Sequence, residues 1–268
     1  MKSNFQFNNH YKNVLDTKGW IVYEGFIKDE EYINKLKKAT KESFRNCELI
    51  REQNGVSENN EGTVHHLIGQ DSVFSNLLED IVENFDELFK WYFKSNYILN
   101  AFGGNFLKPD YVSYANAIHR DVRTYTSDVN LMINTLVMLD DFTQENGATF
   151  LLNNSHLVKS KPSDEYFYAN AEQVIAPKGS ILFFNSNVWH AAGVNKTNVE
   201  RSSITPMFTK TFVKPQFDYL TNLIEKNIEI KDSLKQVLGY KSRVPKDLNE
   251  WYRTKDKRFY QPDQEIEI

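Results

Sequence analysis

Three residues of the kinds that bind metals constrain this chain most, because they are far apart in the sequence and must meet if they act together. His119 and Asp121 are separated by one residue, and on an extended strand this spacing directs both side chains to the same face. His190 follows 69 residues after Asp121, just beyond an apolar run at 180–184 that is typical of a buried strand. A fold that unites them must bring two distant strands side by side.

Each of these signals has an ordinary structural explanation when it is taken alone. A His-x-Asp pair on a strand is often a surface pair without a function, and a histidine after an apolar strand is often a hydrogen-bonded core residue. Together, however, two histidines and one carboxylate can occupy one face of an octahedral ion and leave three adjacent positions open, as in non-haem Fe(II) oxygenases. We therefore hypothesise that His119, Asp121 and His190 bind Fe(II).

Short strand-like runs separated by turn signals fill the middle of the chain and predict its fold class. The turn signals include Asn146-Gly147 and Lys178-Gly179. Six or seven such runs suit a jelly roll, in which two antiparallel sheets enclose one pocket. The runs lie at 98–102, 111–118, 130–139, 148–152, 172–175, 180–184 and 201–211.

Helical patterns flank these runs on both sides. After a short strand at 19–26, Asp29 is a candidate N-cap of a helix that reaches about residue 45; a polar loop is expected at 46–63 and a second helix at 71–95. A helical pattern also runs from Pro215 to Gly239, and the aromatic tail beyond it is expected to pack back on the body, through Tyr240, Trp251, Tyr252, Phe259 and Tyr260. We predict one domain over 1–268, mainly β: a helical part (1–95), a jelly-roll core (96–212) and a C-terminal helical extension (213–268).

Composition limits the class of protein and its compartment. The net charge of −4 argues against nucleic-acid binding as the main role. The single cysteine, Cys47, cannot form an internal disulfide, and no apolar run approaches the length of a membrane span. We expect a cytoplasmic protein, monomeric or homodimeric, that does not bind membranes.

Arg201 is a candidate anion-binding residue. It follows His190 by 11 residues, and a hairpin between the two would place its guanidinium beside the metal. There it can hold a carboxylate bidentately, with a hydroxyl from Ser203 on the same strand face. A surface arginine paired with Glu200 or another neighbour explains the same spacing equally well, so the spacing alone leaves both interpretations open.

The chain from about residue 95 to 212 resembles the phytanoyl-CoA dioxygenase family of Fe(II)- and 2-oxoglutarate-dependent oxygenases. The resemblance rests on His119-Arg120-Asp121, Asn154-Ser155-His156, Lys178-Gly179-Ser180, His190 with Arg201, and the stretch from Leu139 to Thr149, which contains Glu145-Asn146-Gly147. The chain departs from the family where Asn153-Asn154 replaces Pro-Gly, and where Ala192 replaces a serine that some members use to contact the cosubstrate; Ser203 or Thr205 can take over that contact.

The resemblance implies the double-stranded β-helix form of the jelly roll and assigns roles to individual residues. Iron is assigned to His119, Asp121 and His190, the distal carboxylate of 2-oxoglutarate to Arg201, and a place near the cosubstrate to Tyr125, while His156 is interpreted as structural. With Fe(II), 2-oxoglutarate and O2, such a site oxidises a C–H bond and releases succinate and CO2. Related halogenases have a small residue in place of Asp121, so this carboxylate favours hydroxylation.

The sequence says least about the substrate. Candidate lining residues are Arg123, Asn116, Asn134, His65 and His66, each of which is explained more readily as structural or solvated than as substrate-binding. An arginine at 123 that faces the pocket would favour an anionic small molecule. Hydroxylation of a small polar metabolite is the first hypothesis; desaturation, cyclisation or C–P or C–N cleavage with the same cofactors, and a non-catalytic metal-binding jelly roll, are the alternatives. The segments Lys241-Ser242-Arg243 and Trp251-Tyr252-Arg253 either close over the pocket or pack as a buttress.

Overall fold

The computed structural model describes residues 5–57, 62–112, 114–126 and 128–258, and every structural statement refers to these ranges. In chain order the helices are α1 (Asn9–Thr17), α2 (Glu30–Gln53), α3 (Ser72–Phe93), α4 (Asp164–Asn170), α5 (Tyr219–Glu225), α6 (Asp232–Lys235) and α7 (Leu248–Trp251). The strands are β1 (Trp20–Tyr23), β2 (Thr63–Val64), β3 (Tyr97–Leu107), β4 (Met132–Met138), β5 (Phe150–Leu151), β6 (Glu172–Gln173), β7 (Ile181–Asn185), β8 (His190–Ala191) and β9 (Arg201–Lys210).

The strands form two antiparallel sheets, which confirms the predicted jelly roll. The major sheet has the order β1-β7-β4-β9-β3-β2, and the minor sheet has the order β6-β5-β8. An apolar cluster lies between them, with Leu136, Leu182 and Phe184 from the major sheet and Leu151 from the minor sheet. This layered arrangement encloses the space in which the candidate ligands meet.

The two long N-terminal helices pack against the other face of the major sheet. Asp29 caps α2 and Asp71 caps α3, each through a carboxylate oxygen that accepts backbone N–H groups of the first turn. The apolar stripe of α3 buries Phe85 and Phe89, whose rings contact Phe183 of β7 at centroid distances of 4.8 and 5.9 Å. The helices therefore cover the outer face of the major sheet. None of the described helices combines the length and apolarity needed to cross a membrane.

Several element boundaries differ from the prediction. Helix α1, capped by Asn8, was not predicted, and α2 continues to Gln53 through a segment that was expected to be a loop. The strand predicted at 111–118 is wrong: Tyr114–Asn116 forms a 3-10 turn there. Residues 58–61 of the predicted loop lie outside the described ranges.

The C-terminal region also differs. The single helix predicted after Pro215 is broken into α5 and α6, with Asn227 between them in the left-handed conformation at φ 53°. Tyr240 packs against the core as expected, but Trp251 and Tyr252 are 55% and 78% exposed, so the prediction that they pack on the body is wrong. Phe259 and Tyr260 lie outside the described residues.

Candidate metal centre

The backbone brings the two candidate histidine ligands side by side. His119 and His190 form an isolated antiparallel bridge, with both N–H···O bonds at 3.0 Å, and their ring centroids are 4.2 Å apart. His190 belongs to β8 in the minor sheet, while His119 lies outside the named strands. Distant parts of the chain thus meet at this point, although the predicted strand before His119 is absent.

Both rings and the carboxylate of Asp121 converge on one point. The Nε2 atoms of His119 and His190 lie 3.6 and 3.5 Å from the two carboxylate oxygens of Asp121, and one ligand atom from each residue lies within 4.8 Å of the others. The Nδ1 atoms face backbone carbonyls, of Ala117 at 2.7 Å and of Val188 at 2.9 Å. Because a carbonyl only accepts, each Nδ1 must donate, which leaves the Nε2 lone pair of a neutral ring available for a metal.

Burial and mutual attraction set the pKa values of this trio. Burial raises the pKa of Asp121, but the adjacent His190 and His119 and the hydrogen bond from Asn134 outweigh it, so the pKa lies below its ordinary value. Burial also lowers the pKa of His190, and attraction to Asp121 offsets this only in part. For His119, the lowering by burial is outweighed by Asp121, and its pKa is raised. An ionised carboxylate beside a neutral His190 is the protonation state that metal binding needs.

Asn134 supports the carboxylate. Its amide nitrogen donates a hydrogen bond to Oδ2 of Asp121, and its amide oxygen accepts one from Ser186 Oγ at 2.8 Å. The side chain is buried on β4 and lines the same cavity as the ligands. The sequence left Asn134 either as a substrate-binding residue or as a structural one; its amide orients Asp121.

Arg201 reaches the same cavity by a route other than the predicted hairpin. Strand β8 pairs with β5, whereas β9 pairs with β3 and β4, so the hairpin between His190 and Arg201 is wrong. Arg201 and Ser203, two residues apart on β9, are both buried and both line the cavity. We call this space, bounded by His119, Asp121, His190, Arg201 and Ser203, the central cavity.

The guanidinium of Arg201 has few partners for a buried charge. It donates to the carbonyl of Gly147 and lies 4.0 Å from the centroid of Phe142, while its Nε has no hydrogen-bond partner among the described residues. Burial lowers the pKa of Arg201 to about 9, although the negative charge of Asp140 acts to raise it. The alternative of a surface ion pair with Glu200 is wrong, because Glu200 binds Lys41 at 2.6 Å. An anion in the cavity would satisfy this group.

Other candidates from the sequence are not brought to the central cavity. Tyr125 donates its hydroxyl to the carbonyl of Leu157 at 3.0 Å, and Arg123 is exposed. Asn116 donates to the carbonyls of Ala192 and Gly193 at 3.1 and 2.9 Å, holding the loop after His190. The expectation that these three side chains line the pocket has no support from their positions.

The neighbouring histidines His65 and His66 differ in their surroundings, and His66 packs against the C-terminal region. The ring of His66 stacks on Phe217 at 4.5 Å, and its Nδ1 lies 3.1 Å from the hydroxyl of Tyr219. His65 is exposed and does not line the central cavity. His156, interpreted as structural, is buried with its Nε2 3.2 Å from the carbonyl of Asp16.

The sequence did not single out the polar residues at the cavity mouth. Thr63, Asn105 and Tyr114 line the central cavity, with Asn105 Nδ2 donating to Thr63 Oγ1 at 3.4 Å and the hydroxyl of Tyr114 at 3.5 Å from the same atom. Asn105 stands opposite Ser203 in the register of β3 and β9. No local pattern reveals this register, so sequence reasoning had no signal for the group.

Comparisons with known proteins agree with this geometry. Residues 15–203 match the phytanoyl-CoA dioxygenase (PhyH) family. An uncharacterized protein of Mycobacterium tuberculosis is 36% identical over 172 residues, which is 64% of this chain and 62% of that protein. Dioxygenase trt7 of Aspergillus terreus is 34% identical over 124 residues, 43% of this chain and 42% of that enzyme. The chain thus spans about 62% of the length of the mycobacterial relative.

A solved structure supports the fold. AviO1 from Streptomyces viridochromogenes superposes with a TM-score of 0.58 at 17% identity, covering 76% of this chain and 95% of that one. At this identity the likeness concerns the fold alone. Because the family match extends over most of the chain and includes both histidines, Asp121 and Arg201, this protein belongs to the phytanoyl-CoA dioxygenase family.

Proposed function

We propose that the protein is an Fe(II)- and 2-oxoglutarate-dependent dioxygenase that hydroxylates a C–H bond of a small polar metabolite and releases succinate and CO2. One observation carries the proposal: a facial set of two imidazoles and one carboxylate shares a cavity with a buried guanidinium whose Nε has no partner among the described residues. A metal-binding module without a 2-oxo acid would have no use for that charge.

The residues of the central cavity divide the work. His119, Asp121 and His190 would hold Fe(II), with their Nδ1 bonds and Asn134 keeping the ligand atoms aligned. Iron would supply the activation of O2 that is coupled to decarboxylation of the 2-oxo acid. Arg201 would bind the distal carboxylate of 2-oxoglutarate, with the hydroxyl of Ser203 beside it.

The rest of the lining suits a small metabolite that has both polar and apolar groups. The mouth group of Thr63, Asn105 and Tyr114 offers hydroxyl and amide hydrogen bonds, and Leu136, Phe184 and Met207 add apolar surface. Among the described residues that line the cavity, Arg201 is the only guanidinium or ammonium, and it is assigned to the cosubstrate. An anionic group of a substrate would therefore have to bind outside, where Arg123 is exposed.

Anaerobic addition of Fe(II) and 2-oxoglutarate tests the proposal, because their chelate gives a weak visible charge-transfer band. The wild type should show the band, and the double variant Asp121→Ala/His190→Ala should lack it. A wild type without the band, or an unchanged band in the double variant, would refute an iron- and 2-oxoglutarate-binding site. A wild type that shows the band and releases no succinate with any member of a library of polar metabolites would favour the non-catalytic alternative.

Arg201→Ala separates the two ligands. Losing a charge-assisted hydrogen bond to a carboxylate costs about 1.5–3 kcal/mol, so 2-oxoglutarate should bind roughly 10- to 100-fold more weakly while iron affinity changes little. Ser203→Ala, which removes only a hydroxyl, should have a smaller effect. Equal loss of iron and 2-oxoglutarate in Arg201→Ala would mean that the arginine supports the fold instead of binding the cosubstrate.

A further inference from the structure

Arg120, the residue between the ligands His119 and Asp121, is buried although its side chain is charged. The residue is 7% exposed and forms no ion pair with a described carboxylate. Its guanidinium donates instead to three backbone carbonyls of one segment: those of Ser155 at 2.7 Å, of Lys159 at 3.1 Å and of Val158. The segment His119-Arg120-Asp121 is therefore hydrogen-bonded to residues 155–159 through the side chain of its middle residue.

The residue before the third ligand is fastened to the same segment. Trp189 donates its backbone N–H to Ser155 Oγ at 2.8 Å and its indole Nε1–H to the carbonyl of Ser160 at 3.2 Å. The guanidinium carbon of Arg120 lies 4.3 Å from the centroid of the Trp189 ring, within the range of a cation–π contact. Arg120 and Trp189 thus contact each other as well as a common support.

The contact between Arg120 and Trp189 strengthens a connection between the two ligand-bearing segments that the backbone makes only weakly. His119 lies outside the named strands and is joined to His190 by a single bridge of two hydrogen bonds. In extended chain successive side chains point to opposite faces, so Arg120 and Trp189 occupy the face opposite to the ligands on the two segments. Their stacking closes that face and fixes the distance between the segments on which the ligands stand.

We propose that Arg120 is a positioning residue of the iron site, which sets the spacing of His119, Asp121 and His190 by stacking on Trp189 and binding the carbonyls of residues 155–159. The inference rests on the proposed iron site. Fold stability alone gives a weak account of this arginine, since a buried charge is costly and an apolar side chain of similar volume is often as stable. A planar cation that stacks and donates several hydrogen bonds holds a fixed geometry, which an apolar side chain does not do.

Cobalt(II) is a suitable probe, because its visible spectrum reports the number and geometry of its ligands without turnover. The variants are Arg120→Ala and Arg120→Lys, with Lys159→Ala as the matched control, since Lys159 is an exposed cation on the same segment. Loss of a group that orients metal ligands typically weakens metal binding 10- to 100-fold. We expect a loss of this size in Arg120→Ala with an altered Co(II) spectrum, a smaller loss in Arg120→Lys, and wild-type behaviour in Lys159→Ala.

The other outcomes are also informative. An Arg120→Ala protein that melts at a lower temperature but binds Co(II) with wild-type affinity and spectrum would show that the arginine is merely structural. If Arg120→Ala does not fold, Arg120→Lys decides. Because lysine is a cation without a planar fork, the Arg120→Lys protein should bind Co(II) several-fold more weakly than the wild type does. An unchanged Co(II) affinity and spectrum would overturn the proposal. Wild-type protein that binds no Co(II) or Fe(II) would instead reject the proposed iron site, and this role with it.

Discussion

At the scale of residues, two buried guanidinium groups near the candidate metal centre differ in how their charge is compensated. Arg120 donates to three carbonyls and stacks on Trp189, whereas Arg201 has one carbonyl and one ring; the Nε of each arginine lies without a hydrogen-bond partner among the described residues. What distinguishes them is position: Arg201 lines the central cavity, where its unused donors can bind a ligand, and Arg120 is not among the lining residues. The same residue type therefore serves two purposes.

Asn134→Ala tests whether the support of Asp121 matters for metal binding. Without the amide, the carboxylate loses the hydrogen bond that fixes its orientation, and metal affinity should fall about 10- to 100-fold. Titration with Co(II) measures this fall. Ser186→Ala, which removes only the bond that holds Asn134, should cause a smaller loss. Wild-type affinity in Asn134→Ala would contradict the assigned role.

Residue types and spacing nominated the three candidate ligands, because a facial ligand set depends on chemistry visible in the sequence. For Arg201 the spacing left a surface ion pair equally open, and the family resemblance assigned its role. The supporting contacts were not visible. Asn134 meets Asp121 although the two lie 13 residues apart in the chain, and Tyr125, which the family resemblance placed near the cosubstrate, donates its hydroxyl to the carbonyl of Leu157 instead. Contacts between loops depend on tertiary packing, which local spacing does not encode.

At the scale of elements, strand β9 carries much of the central cavity on one face. Arg201, Ser203, Thr205 and Met207 alternate along it and all line the cavity. The carbonyl that accepts from Arg201 belongs to Gly147, which lies in close backbone contact with Gly193 in the loop after β8. The position of this carbonyl depends on two glycines that let the loops approach.

Gly147→Ala should disturb this approach. At φ 74° an added Cβ costs about 1–2 kcal/mol from the left-handed backbone, and since it would also meet the carbonyl oxygen of Gly193 at 2.5 Å, about 1–3 kcal/mol of overpacking is added. Gly55→Ala is the matched control, with φ 69° and no atom within 4 Å of the added Cβ. Urea denaturation should show a larger loss in the free energy of unfolding for Gly147→Ala than for Gly55→Ala. Equal losses would mean that the two loops move apart without cost to accommodate the added Cβ.

The alternation and turn chemistry of the middle region predicted the core strands well, because the strand faces that pack on the core must be apolar. Short elements escaped prediction for the opposite reason. Strand β8 is two residues long, and Tyr114–Asn116 forms a turn inside an apolar stretch that suggested a strand. Only the pairing of β8 with β5, far along the chain, makes His190–Ala191 a strand.

At the scale of the whole molecule, the C-terminal region is joined to the N-terminal part beside the sheet. His66 is central to this junction, since its ring stacks on Phe217 and contacts Tyr219, the first residue of α5. The sequence suggested a structural or solvated role for His65-His66, or a place in the substrate pocket. It could not indicate this contact, because the partners lie about 150 residues away along the chain.

This junction should weaken in mild acid. Burial, and secondarily the neighbouring His65, lowers the pKa of His66 to about 4, from 6.5 in the unfolded chain. Below pH 6.5 the unfolded chain therefore binds the proton more readily than the folded protein, so the contribution of His66 to stability is complete above pH 6.5 and is lost as the pH falls towards 4. Protonation would put a charge against Phe217 in a half-buried site.

His66→Asn removes this titration and suits the left-handed backbone at φ 55°, which asparagine tolerates. The variant should melt below the wild type at pH 7.5, because the stacking is lost, and the gap in Tm should narrow steadily between pH 6.5 and 4.5. A constant gap for His66→Asn would show that His66 titrates alike in the folded and unfolded chains and that acid weakens the junction through other groups.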